Sequence, residues 1–118
     1  KKEIEFSAEL IAVDWNFFSM LLKNGANAIF TNQTVTYYRQ HENNTVGVGS
    51  GSRDSIKLAL NVKEIHYSNM ALDHPEYQFL YKKVIELKEK IKRNDDLLDQ
   101  MQTDNEHYPD LLWWELKG

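Results

Sequence analysis

Arg53-Asp-Ser-Ile56-Lys-Leu-Ala59-Leu60-Asn-Val62-Lys63-Glu-Ile65-His-Tyr67-Ser-Asn-Met70-Ala-Leu-Asp-His-Pro75 is the stretch on which the fold class turns. Ile56, Leu60, Lys63 and Tyr67 mark one side at helical spacing, and Ala59, Val62, Ile65 and Met70 broaden it into an apolar stripe. Proline is tolerated in a first helical turn, so Leu72-Asp73-His74 reads as a corner before Pro75. The next helix carries Tyr77, Leu80, Tyr81, Val84, Leu87 and Ile91, with Leu98 and Met101 continuing after an Asn94-Asp95-Asp96 interruption. Helices joined by so short a corner lie antiparallel, as a helical hairpin. The charge run from Glu86 to Arg93, with opposite signs at helical spacing, is its solvated face.

Toward the C-terminus, Thr103 to Pro109 is polar and reads as loop, and Asp110-Leu-Leu-Trp-Trp-Glu-Leu-Lys-Gly118 makes a short terminal helix. Its adjacent tryptophans point to different sides, so one indole docks on the body while the other is left for packing, a partner or a membrane surface. Toward the N-terminus, Glu42 to Ser52 is loop, with Gly47, Gly49 and Gly51 alternating with small residues. That spacing matches neither the phosphate-binding loop nor the dinucleotide fingerprint, and it reads as a linker or lid.

From Phe6 to Leu22 a further helical pattern runs through Ile11, Trp15, Phe18 and Leu22, with Leu10, Phe17 and Leu21 as its neighbouring row. Asp14 falls in that second row, and two roles are open to it. It is either an N-cap, accepting from a backbone NH two or three residues on, or a partly desolvated carboxylate at a cleft edge, suited to act as a base. Lys23-Asn24-Gly25 stops the helix, because glycine takes the left-handed capping conformation. Ala28-Ile29-Phe30 and Gln33-Thr-Val-Thr-Tyr-Tyr-Arg39 then read as two short strands joined by a Thr31-Asn32 turn. The expected fold is thus mainly α (α+β): helix, short β-hairpin, antiparallel helical hairpin and short terminal helix.

At 118 residues one small domain is expected, with enough aromatic and aliphatic content for a core. The absence of cysteine removes disulfide scaffolds, thiolate nucleophiles and zinc-thiolate sites, and suits a reducing cytoplasmic setting. Lys and Arg total 14 against 18 Asp and Glu, a net charge of -4 that argues against a nucleic-acid partner. No run approaches the roughly 20 apolar residues of a membrane span. Asn32-Gln33-Thr34 and Asn43-Asn44-Thr45 fit the glycosylation pattern, but nothing else suggests secretion. The chain opens on Lys-Lys-Glu-Ile-Glu with no initiator methionine, as an excerpt, an expressed part or a processed piece of something longer would.

His41 stands at a strand end beside Arg39, Gln40, Asn43 and Asn44, whereas His66, His74 and His107 are scattered with no pair at metal-ligand spacing. Taken alone, His41 is a hydrogen-bonded surface residue and Arg39 a cross-strand ion-pair partner. Val13-Asp14-Trp15, a helix, Gly25, a strand and then Tyr37-Tyr-Arg-Gln-His-Glu-Asn-Asn-Thr-Val-Gly47 together resemble the distal part of bacterial family-two glycosyltransferases of the GT-A fold, the rhamnosyltransferase-like branch above all. The resemblance covers about the first 50 residues, and the helical extension fits it loosely.

That resemblance implies an inverting transfer of a sugar from a nucleotide-sugar donor to an acceptor hydroxyl, in cell-surface polysaccharide synthesis at the cytoplasmic side of the membrane. Asp14 would be the general base and Trp15 would line the acceptor pocket. Arg39 and Gln40 would bind substrate, and His41 would help hold a divalent metal, manganese or magnesium, on the donor pyrophosphate. Relatives often place a second acid before the base, where Val13 stands here. The nucleotide-binding half with its aspartate-any-aspartate metal motif does not occur in these residues. Residues 1–50 would be the acceptor-side catalytic segment and residues 51–118 a helical extension, inactive and metal-free alone, with strands open to pairing in a homodimer. The rival expectation is a non-enzymatic interaction module that uses the hairpin of residues 53–101.

Overall fold

The computed structural model describes residues 6–35, 37 and 52–106, the last two by backbone alone. Four helices follow in order: α1 (Val13–Lys23), α2 (Arg53–Asp73), α3 (Tyr77–Arg93) and α4 (Asp96–Glu106). The mainly α architecture and the helical hairpin follow from the apolar periodicity.

α2 starts at Ser52, which has extended backbone and whose Oγ accepts from the Ser55 amide at 3.2 Å, and Asp54 adds an acid to the first turn. It runs to Asp73 with His74 as its cap, so the chain reverses over His74, Pro75 and Glu76. α3 then returns antiparallel and packs along α2, its last turn carrying Lys90, Lys92 and Arg93 where basic side chains complement the helix dipole. Ile56, Ala59, Leu60 and Val62 from α2 meet Val84 and Ile91 from α3 in one buried core. α4 closes that core with Leu98, which is fully buried, and Met101.

Ion pairs fix how the elements meet. Arg53, at the start of α2, pairs with Asp95 and, at 3.0 Å, with Asp99, tying that end to the α3–α4 corner. Lys88 of α3 reaches Glu64 of α2 and donates to Asn61 at 2.7 Å. Lys23 bonds Glu76 at 2.6 Å, so the end of α1 is held to the reversal between α2 and α3.

Two expectations are corrected. Among the described residues no strand forms: 26–31 is irregular chain, with Ile29 88% and Phe30 95% exposed. A strand exists only through backbone pairing with a neighbour, and this segment has none among the described residues. Thr36 and Tyr38 lie outside the described residues. Thr103 to Glu106, expected as loop, is the last turn of α4, where the Thr103 hydroxyl donates to the Asp99 carbonyl at 3.0 Å. The 42–51 loop and the 110–118 tail lie outside the described residues.

Candidate functional site

α1 is ended by a glycine-dependent motif. The Gly25 amide donates to the Leu22 carbonyl and the Ala26 amide to that of Leu21, at 3.1 and 3.0 Å. Gly25 has φ +89, and a Cβ there would meet nothing within 4 Å, so the requirement for glycine is conformational rather than steric.

Asp14 sits in the first turn of α1 and not at its N-cap, a position taken by Ala12 without a side-chain bond. Its Oδ1 accepts from the Trp15 amide at 2.8 Å, and the carboxylate is exposed. Neither of the two environments expected for it is realised in this chain; it is an open acid at a helix start, where the dipole favours negative charge. Helical spacing sets it in a row with Phe18 and Leu22, 61% and 51% exposed. The acid thus heads an uncovered apolar row.

The opposite side of α1 faces α2. Trp15 lies flat on His66, with ring centroids 3.5 Å apart and planes within 10°. Tyr67 meets the indole edge-on at 5.5 Å, and Tyr77 of α3 meets His66 at 6.2 Å. One indole face is therefore engaged by the imidazole, which leaves at most the other for a sugar. His66 is 2% exposed, neither ring nitrogen has a hydrogen-bond partner among the described residues, and burial pushes its pKa down to about 4. Next to it, buried Asn16 donates from Nδ2 to Asn69 Oδ1 at 3.2 Å, while its Oδ1 has no partner among the described residues. Sequence reasoning passed over His66, yet Val62, His66 and Met70 fall four residues apart along the buried side of α2, which is the signal that would have found it.

Arg39, Gln40 and His41 lie outside the described residues, so Asp14 and Trp15 are the expected site residues whose positions can be compared. They are neighbours in sequence with opposite environments: Asp14 open, Trp15 half-buried against the core. Among the described residues no group of three or more His, Asp or Glu side chains comes together in a way that could hold a metal ion. No described helix is long and apolar enough to cross a membrane.

A concavity lies between α2 and α3 and holds about 360 Å³. Leu60, Val84 and Leu87 lie along it, Met101 of α4 borders it, and Lys63, whose pKa is lowered by burial, stands at its side. Comparison with protein-family models, curated proteins and solved structures finds no match to this chain.

Proposed function

We propose that this chain is the acceptor-side and C-terminal portion of an inverting glycosyltransferase that uses a nucleotide-sugar donor, with Asp14 as general base. The reading starts from the sequence pattern running from Asp14 to Gly47. The observation that supports it is the placement of Asp14 at the head of the row formed by Phe18 and Leu22, on a helix followed in sequence by Ile29 and Phe30, which are almost wholly exposed. Large apolar side chains left open in succession call for a further body to cover them, and a carboxylate at the rim of that cover would face the enclosed space.

In that arrangement the Asp14 carboxylate takes the proton of the acceptor hydroxyl as its oxygen bonds to the anomeric carbon. The bond from that carbon to the donor diphosphate breaks, and the nucleoside diphosphate leaves with the electron pair. The hydrogen bond from the Trp15 amide orients the carboxylate, and the stack on His66 fixes the backbone that supplies this amide. A divalent metal would supply charge neutralisation at the diphosphate. The described residues alone do not form a site for one, so no step is assigned through it.

The test is transfer by the full-length polypeptide carrying Asp14→Asn, which keeps the shape and removes the base. Turnover is expected to fall roughly 10²–10⁴-fold with donor binding unchanged. Undiminished transfer would overturn the assignment. The 118-residue chain alone, given a nucleotide-sugar and manganese, is expected to show no donor turnover.

A further inference from the structure

The groove between α2 and α3 is lined by neither Asp14 nor Trp15, although Tyr67, which meets the Trp15 indole edge-on, is among its lining side chains. Its floor is apolar, provided by Leu60, Val84 and Leu87, and its sides carry Lys63 from α2 and Lys83 and Lys90 from α3. Lys83 and Lys90 are exposed and make no ion pair among the described residues, whereas Lys88 and Lys92 on the same helix are paired with Glu64 and Glu89. Three lysines along one groove run against a chain whose net charge is -4. At the groove's Leu80 end, Leu80 and its neighbour Phe79 are exposed, and the Lys83 ammonium lies over the Phe79 ring, 4.6 Å from its centroid.

We propose that this groove docks an acidic amphipathic helix of a partner protein. The spacing sets the pattern it would carry. Lys83 and Lys90 stand seven residues, about 10 Å, apart along α3, so acids two turns apart on the incoming helix meet both lysines. Apolar anchors at i, i+3 or i+4 and i+7, on the face beside those acids, fill the floor. Glu86, which also lines the groove, offers one opposite charge that selects the register of the incoming helix.

The test uses the whole chain and two synthetic amphipathic helices, one with leucine anchors flanked by Glu and one with every Glu replaced by Lys, read by fluorescence anisotropy. The Glu helix is expected to bind and the Lys helix not. The double variant Lys83→Glu, Lys90→Glu, with its helical circular dichroism unchanged, is expected to weaken the Glu helix roughly tenfold or more and to gain binding of the Lys helix. Equal binding of both helices, no binding of either, or no change on charge reversal would overturn the proposal. So would phosphatidylglycerol vesicles binding through these lysines where the Glu helix does not. Self-association of the chain that disappears in the double variant would reassign the groove to a second copy.

Discussion

α1 and α2 are both amphipathic, and they do opposite things with their apolar residues. α2 buries Ile56, Leu60 and Val62 against α3 and α4, and Arg53 and Glu64 pin it by ion pairs at two levels. α1 places Trp15 and Asn16 on α2 and leaves Val13, Phe18 and Leu22 open. The seams differ too: α2 meets α3 around an aliphatic core with Lys88, Glu64 and Tyr77 at its edges, whereas α1 meets α2 through an imidazole–indole stack and an asparagine pair. Residues 52–106 therefore share one buried core, and α1 is covered on one side only.

The largest expected effect breaks that body. Leu98 is fully buried where α4 seals the hairpin, so Leu98→Ala should cost ~2–5 kcal/mol, read by urea unfolding. A loss near zero would mean that α4 does not close the core.

The next effect is a pH dependence located at the polar seam. His66 is faced by Trp15 from α1, Tyr67 from its own helix and Tyr77 from α3, none of which is charged below neutrality. Its folded pKa, about 4, lies below the ordinary 6.5, so between those values the unfolded chain binds a proton that the folded one refuses. Stability is then fully present above pH 6.5 and falls as pH drops toward 4, by at most ~3 kcal/mol. Glu76 and Asp95, both held below the ordinary carboxylate range by hydrogen bonds from Lys23 and Arg53, act in the same direction only at lower pH. The slope between pH 6.5 and 5 should therefore flatten in His66→Phe, which keeps a ring against Trp15. An unchanged slope would place the titrating group elsewhere.

A smaller effect belongs to the pair that links α2 to α3. Lys88 and Glu64 are both about a quarter exposed, so Lys88→Ala should cost no more than ~1 kcal/mol, and less at high salt.

What could be read in advance followed the same division. The α2–α3 hairpin was legible because its apolar spacing is satisfied within the chain: Ile56, Leu60, Val84 and Ile91 find one another. The end of α4 was not, because Gln102, Thr103 and Asp104 carry no apolar signal and Thr103 satisfies its hydroxyl on its own helix. The β-hairpin failed for another reason. Ile29 and Phe30 have strand-forming side chains, but β-propensity describes a fit to neighbouring strands, and among the described residues none stands beside them. His66 was overlooked because a polar residue type hid an apolar position. Of the site, the sequence placed Asp14 on the first helix but not its exposure, which depends on what covers the row beside it.

The smallest effect in this chain is also the one that bears most directly on function. Phe18→Ser with Leu22→Ser replaces two large apolar side chains, yet both are already more than half exposed, so each change should alter stability within about 0.5 kcal/mol. In the longer glycosyltransferase proposed above, the same pair should behave differently if a further body covers α1. Burying each side chain would then be worth ~1.5–3 kcal/mol, and the double substitution should lower stability visibly and reduce sugar transfer together. The two measurements separate the alternatives. Silence in the short chain and damage in the long one would put Asp14 at the rim of an enclosed space. Silence in both would leave the acid facing open solvent, where no acceptor hydroxyl is held against it.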